Sequence, residues 1–246
     1  MNDDGEPGEW DEAAEQLDIM TASNSFPPIE AVIFDMDGLL LDSETLSMEA
    51  LVVSGTDLGF DMSRAFCHAM IGCSVDLCRT MITERYGPDF PLDRYFALQS
   101  EHLDAFVASG RLALKEGVTA LLGELDRRGL KRAVATSSSR YRALHHLEAA
   151  GIVQRFECIV TRDDVTRGKP DPEPYLTAAA ALGVRPEACL ALEDSHTGVR
   201  AAHAAGMRVI MVPDLLLPTD EMRDKAHRIV NSLHQVIAFL NEAHPE

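Results

Sequence analysis

The stretch Ile29-Glu30-Ala31-Val32-Ile33-Phe34-Asp35-Met36-Asp37-Gly38 decides the fold. A compact apolar run that stops at acidic residues and a glycine reads as a buried strand followed by a sharp turn. Downstream, from Thr45 to about Arg111, the apolar spacing becomes helix-length and is broken only by Gly59, Gly72, Gly87-Pro88 and Pro91. That segment predicts a small all-helical module. After it, helix and strand alternate: Val118 to Arg128 helical, Leu130 to Ala135 strand, Arg140 to Ala150 helical, Phe156 to Thr161 strand. Pro174 to Leu182 then reads as helix, Cys189 to Leu192 as strand, Thr197 to Ala205 as helix and Arg208 to Val212 as strand. Parallel neighbours need crossover helices, so this alternation predicts an α/β fold, a doubly wound parallel sheet with an inserted all-helical unit. The expected organisation is an acidic tail over 1–25, a core made of 26–44 and 112–246, and the helical insert over 45–111.

Composition bounds the function classes. The chain has 246 residues, 46% hydrophobic and 25% charged, which excludes a disordered, collagenous or disulfide-scaffold protein. No apolar run approaches the length of a membrane span, so no membrane partner is expected. The net charge of −18 repels a phosphate backbone, which argues against nucleic acid. Eight acids and no Lys or Arg fall within residues 1–25, which read as a mobile tail whose Trp10 to Ile19 has the make-up of a short surface helix. The N-terminus has neither a basic nor an apolar leader region, so a cytoplasmic location is expected. The five cysteines, at 67, 73, 78, 158 and 189, contain no CxxC pair and read as reduced thiols. Cys67, Cys73 and Cys78 with His68 match no zinc spacing.

A doubly wound sheet gathers the carboxyl ends of its strands around one crevice. The residues that follow the predicted strands should converge there: Asp35 and Asp37, Thr136 to Ser139, Arg162 to Lys169, and Glu193, Asp194 and Ser195. Carboxylates, hydroxyls and one lysine are the inventory for an oxygen-ligated Mg2+ and a phosphate. Each has a plainer use. Asp37 and Asp42 also suit turns and caps, Thr136 and Ser137 also suit the cap of the next helix, and a lysine before Pro170 also suits an exposed loop. Only four lysines occur in the chain, at 115, 131, 169 and 225, so one at this position carries weight. His145, His146 and His203 read as surface or helix-packing residues, and His196 stands next to the acidic pair.

The run Phe34-Asp35-Met36-Asp37-Gly38-Leu39-Leu40-Leu41-Asp42-Ser43 resembles the first motif of the haloacid dehalogenase superfamily, in its phosphatase and phosphomutase branch. The later motifs follow in the family's order: Ala135-Thr136-Ser137-Ser138, Gly168-Lys169-Pro170-Asp171-Pro172, and Leu192-Glu193-Asp194-Ser195 with Gly198. The resemblance covers roughly residues 29 to 213. It implies Asp35 as nucleophile, Asp37 as general acid and base, Lys169 beside the carboxylate, and Thr136 and Ser137 on the phosphate. It further implies Mg2+ held by Asp35, the Asp37 backbone carbonyl and Asp194, with Glu193 as a further ligand. The insert takes the place of the family's helical cap.

Within the superfamily, Asp37 and the Glu193-Asp194 pair argue against dehalogenation, and the absence of lysine between 45 and 111 argues against a Schiff-base phosphonatase. In Ile71-Gly72-Cys73-Ser74-Val75, Val75 stands where a β-phosphoglucomutase-like protein carries arginine, which favours hydrolysis. Five arginines, at 64, 79, 85, 94 and 111, remain in the insert as substitutes. The resulting expectation is a Mg2+-dependent, monomeric phosphatase that hydrolyses a small phosphorylated metabolite, a sugar phosphate, through an aspartyl-phosphate. The alternatives are a hexose-phosphate mutase and a non-catalytic binding protein on the same fold.

Overall fold

A computed structural model describes residues 26–71 and 75–243. The readings made for residues 1–25 and for Gly72, Cys73 and Ser74 lie outside the described residues.

Strands β1 (Ala31–Phe34), β2 (Lys131–Ala135), β3 (Cys158–Val160), β4 (Cys189–Glu193), β5 (Arg208–Met211) and β6 (Arg228–Ile229) form one sheet in the order β3-β2-β1-β4-β5-β6. Every pairing is parallel. The strand order reverses at β1, which has β2 on one side and β4 on the other. That reversal opens the crevice in which such sheets bind ligands.

The strands are buried on both faces, as the near-continuous apolar runs require. Val32 and Phe34 point to one face with Val134, Leu190, Leu192 and Ile210, under helices α5 (Val118–Arg128), α6 (Arg140–Ala149) and α10 (Leu233–Ala243). Ala31 and Ile33 point to the other with Ala133, Ala191 and Val209, under α7 (Glu173–Leu182) and α8 (His196–Ala204). Alanines predominate on this second face, which lets Tyr175 and Met211 fill the space between sheet and helices.

Between β1 and α5 run α1 (Ser43–Asp57), α2 (Arg64–Ala69), α3 (Val75–Tyr86) and α4 (Leu92–Ala108). They pack on a separate apolar cluster that includes Met48, Met62, Ile82, Phe90 and Tyr95. Tyr95 is fully buried and its hydroxyl donates to the Leu51 carbonyl at 3.0 Å, joining α4 to α1. Gly55 allows the close approach of the next segment, because a Cβ there would lie 2.4 Å from that of Met62. Among the described residues no helix is long and apolar enough to cross a membrane.

Two departures from the sequence reading have local causes. The third strand covers only Cys158–Val160, because a 3-10 turn at Val153–Arg155 precedes it and a second at Arg162–Asp164 follows. Thr161 and Asp164 close that second turn as a reciprocal capping box, which withdraws Thr161 from the strand. Beyond residue 213 the chain adds α9 (Asp220–Lys225), β6 and α10, which the sequence reading left unassigned. Leu233, Val236 and Leu240 of α10 complete the core against α5.

Leu121 lies at 0% exposure between α5 and the sheet. Leu121→Ala should lower unfolding free energy by about 2–5 kcal/mol, the usual cost of a lost core leucine plus its cavity. Urea denaturation measures it, and a loss under about 1 kcal/mol would mean the site collapses to fill the gap.

Candidate active site

Asp35 follows the last residue of β1, and its backbone N–H continues the ladder by donating to the Leu192 carbonyl at 3.0 Å. A rigid central strand thus aims this carboxylate into the crevice. Lys169 Nζ donates to Asp35 Oδ1 at 2.6 Å and to Glu193 Oε1 at 2.6 Å, with its side chain only 3% exposed. The ammonium also lies 5.1 Å from the centre of the Tyr175 ring. Burial opposes its charge, but the carboxylates of Asp35 and Glu193 overcome this and hold Lys169 above the ordinary lysine range.

Glu193 is fully buried and heavily bonded. Oε1 accepts from Lys169 and from the Tyr175 hydroxyl at 2.7 Å. Oε2 accepts from the backbone N–H of Asp194 at 3.1 Å, that of Ser195 at 3.2 Å and the Ser195 hydroxyl at 3.0 Å. Ser195 also caps α8, accepting from the Gly198 N–H at 3.1 Å. Gly198 makes room for this arrangement, since a Cβ there would lie 1.7 Å from Glu193 Oε1.

The loop after β1 is folded tightly on itself. Gly38 N–H donates to the Leu41 carbonyl at 2.9 Å, and Leu40 N–H to that of Met36 at 3.0 Å. Gly38 has φ +83°, and a Cβ on it would lie 2.3 Å from Asp194 Oδ2, so both its backbone angle and its neighbour demand glycine. The turn presents Asp37, whose Oδ1 accepts from Ser43 Oγ at 2.6 Å and whose Oδ2 accepts from Ser138 Oγ at 2.8 Å.

Thr136 follows the last residue of β2, is 2% exposed, and accepts from the Ser138 N–H at 3.0 Å. Ser137 beside it is exposed. The cap of α6 falls to Ser139, which accepts from the Arg142 N–H, so neither Thr136 nor Ser137 has that plainer use. Asp42 occupies the N-cap position of α1 without a side-chain capping bond. His196 turns its Nε2 to the Leu217 carbonyl at 2.9 Å.

Asp35, Glu193 and Asp194 bring carboxylate oxygens within 4.8 Å of one another, all buried. Burial, opposed by Lys169 and reinforced by Glu193 and Asp37, pushes Asp35 up to about 8. Burial, with Asp35 and Glu193 adding to it, pushes Asp194 far above the carboxylate range. Glu44 and Asp214 extend the acidic surroundings. Burial, then the charges of Asp214 and Asp37, lift Glu44 to about 7. Asp214 Oδ1 accepts from Lys115 at 2.6 Å, while its buried Oδ2 has no hydrogen-bond partner and would lie 3.3 Å from a Cβ on Gly38. Six carboxylates therefore face two ammonium groups, and an unpartnered oxygen points to the same place. A hard divalent cation with oxygen ligands fits that donor set.

Ser138 lies where the segment Thr136 to Ser139 was expected to converge, on Asp37. Sequence reasoning missed Ser43, Tyr175, Glu44, Lys115 and Asp214, although Ser43 and Glu44 lay at the end of the first motif. Tyr175, Lys115 and Asp214 reach the site only through tertiary packing. Two cavities of about 200 Å³ each share Glu44 and Ser47 as lining. One is bordered by Asp37, Arg142 and His146, and the other runs under α1 among Met48, Met70 and Phe96.

Comparison with known proteins gives a consistent result. The family profile of haloacid dehalogenase-like hydrolases matches residues 32–212. YhcW of Bacillus subtilis (strain 168) is 35% identical over 213 residues, 86% of this chain and 96% of that one. The phosphorylated carbohydrates phosphatase of Thermotoga maritima is 33% identical over 182 residues, 74% of this chain and 84% of that one. The crystal structure of CbbY from Rhodobacter sphaeroides in complex with phosphate superposes with a TM-score of 0.71 at 30% identity, covering 85% of this chain and 96% of that one.

Two substitutions test the geometry. Gly198→Ala must displace Glu193 and should lower stability, whereas Gly123→Ala, with no atom within 4 Å of the new methyl on exposed α5, should raise it by about 0.5–1 kcal/mol. Thermal unfolding of both variants decides it, and an unperturbed Gly198→Ala would contradict the packing around Glu193.

A second test concerns pH. Because Glu44 has a raised pKa in the folded state, its contribution favours folding below the ordinary glutamate range and is lost as pH rises through about 7. In EDTA, Glu44→Gln should therefore gain stability relative to the parent between pH 5 and pH 8, taken as roughly the flanks of that transition. Equal pH profiles in urea unfolding would show that Glu44 is fully solvated.

Proposed function

The chain belongs to the haloacid dehalogenase-like hydrolase family, and from that premise we propose that it is a Mg2+-dependent phosphatase transferring the phosphoryl group of a small phosphorylated metabolite to Asp35 and then to water. The observation that carries the reading is Asp35 itself. It is a strand-end carboxylate at the point where the sheet reverses, 7% exposed, with one oxygen held by a buried lysine and a second acid two residues further on. A carboxylate so fixed is a serviceable nucleophile toward phosphorus.

In the first step an Asp35 oxygen forms a bond to phosphorus while the bond to the leaving oxygen breaks. Asp37 gives that oxygen its proton. In the second step Asp37 takes a proton from water, which attacks the phosphorus of the aspartyl-phosphate and restores the Asp35 carboxylate. The hydroxyls of Ser43 and Ser138 fix both Asp37 oxygens through these transfers. Thr136 and Ser137 supply hydroxyl donors to the phosphate oxygens, and Lys169 balances charge beside Asp35, since phosphoryl transfer depends chiefly on position and charge.

Asp35, the Asp37 backbone carbonyl and Asp194 would hold Mg2+. Glu193, whose oxygens already receive five donors, serves by positioning Lys169 and Asp194 instead of binding directly. When bound, the ion supplies the positive charge that six acids and a phosphate require. Helices α1–α4 act as the cap, and the paired cavities beneath it accept the leaving group while excluding water. Their size and mixed lining, with the carbohydrate phosphatase activity named for the Thermotoga relative, support a sugar phosphate. Cys67, Cys78, Cys158 and Cys189 form no disulfide, which accords with a cytoplasmic enzyme that we take to be a monomer.

Purified protein assayed on phosphorylated sugars, nucleotides and small acids, with Mg2+ and with EDTA, should release phosphate from one substrate class only when metal is present. Asp35→Asn should fold normally and lose at least about 10⁴-fold in kcat, the scale of a lost nucleophile. An isomeric product without free phosphate would instead make the chain a mutase. Metal-independent silence across the panel would make it a non-catalytic binding protein.

A further inference from the structure

His145 and His146 follow one another on α6, and their surroundings are unlike those of ordinary packing residues. His146 is 0% exposed, yet neither Nδ1 nor Nε2 has a hydrogen-bond partner. His145 Nδ1 is also buried without one. A buried polar atom that nothing satisfies is costly, so three together call for a shared partner. His146 Nδ1 lies 3.9 Å from Asp37 Oδ1, but that oxygen already receives the Ser43 hydroxyl.

Asp104 on α4 brings a carboxylate to the same place, with Oδ1 at 3.9 Å from His145 Nδ1. One ligand atom from each of Asp104, His145 and His146 lies within 4.8 Å of the other two. We propose that these three residues form a second cation site, separate from the carboxylate centre, that takes a transition-metal dication of the Zn2+ type. Two imidazoles and one carboxylate suit such an ion, whereas Mg2+ prefers an all-oxygen shell. Zinc holds its ligands at about 2.0–2.2 Å, so ring and carboxylate rotations must draw the trio in by roughly 1.5 Å. The ligands come from the helical insert on one side and the sheet's own helix on the other. A bound ion therefore ties α4 to α6 in the wall of the cavity that Asp37, Arg142 and His146 border.

The test is direct binding, so it stands whether or not the chain is a phosphatase. The full chain, kept in excess Mg2+, is titrated with Zn2+ by calorimetry and with Co2+ by visible absorption. One equivalent of Zn2+ should bind despite the Mg2+, and Co2+ should show the absorption of nitrogen ligation. Asp104→Asn and His145→Gln, both at partly exposed positions, should each weaken Zn2+ binding by at least about tenfold and leave Mg2+-dependent turnover unchanged in zinc-free buffer. Asp35→Asn should bind Zn2+ as the parent does. Zinc affinity that is insensitive to Asp104→Asn and His145→Gln, or that disappears in Asp35→Asn, would place the ion at the carboxylate centre and overturn the proposal. Failure to bind any Zn2+ in the presence of Mg2+ would overturn it as well.

Discussion

Lys169 is buried between Asp35 and Glu193, 2.6 Å from an oxygen of each, and the geometry around it depends on that contact. Taking an ammonium and two carboxylates out of water costs several kcal/mol per ion, a debt repaid only when the charges meet closely and their remaining valences are satisfied. The chain meets both conditions through Glu193, whose five donors include the first two N–H groups after β4 and the serine that caps α8. One glutamate therefore ties the lysine loop, the end of β4 and the start of a helix into one rigid unit. Loss of the lysine would leave two acids facing each other in a dry site, which explains why the contact is structural and electrostatic at once.

The acidic excess around this unit has the opposite logic. Asp35 at about 8 and Asp194 far above its usual range describe carboxylates that burial would keep protonated without more positive charge. A protein that wanted only stability would not place six acids against two lysines at the mouth of its sheet. Such a deficit of positive charge fits the cation-dependent phosphoryl site proposed above, where a bound cation would offset both the acids and a phosphate. Gly38 shows how little slack exists: any side chain there would strike Asp194.

Much of this was legible in the sequence, and the reasons are specific. The apolar run ending at Asp35 could only be a buried strand, and alternation after Arg111 could only build parallel crossovers, so the sheet and its crevice followed. Asp35, Asp37, Thr136, Glu193 and Asp194 were visible because each stands within a few residues of a strand end, and Lys169, nine residues beyond β3, because of the motif around it. The strand-end rule is blind to residues that arrive by packing. Tyr175 reaches Glu193 from the middle of α7, Lys115 and Asp214 meet across 99 positions, and His146 looks like any helix residue until both its nitrogens prove unpartnered. Glu193 was legible by position, but the five hydrogen-bond donors around it cannot be read from a dipeptide. Beyond residue 213, α9 is six residues long and β6 two, too short for periodicity to register, whereas the eleven-residue α10 carries helical apolar spacing at Leu233, Val236 and Leu240 that the sequence reading passed over.

The insert completes the site in a way the sheet alone cannot. Asp37 is fixed from two directions, by Ser138 after β2 and by Ser43 at the first turn of α1. The same turn of α1 carries Glu44 and Ser47 into both cavities. Any change in the tilt of α1 therefore moves the Asp37 hydrogen bond and the cavity lining together. Chemistry at the strand ends and recognition under the helices are thus linked through three residues of one helical turn, Ser43, Glu44 and Ser47. In the reaction proposed above, a leaving group that fits the cavity poorly would disturb the proton donor as well as its own binding, so selectivity would act on turnover and not only on affinity.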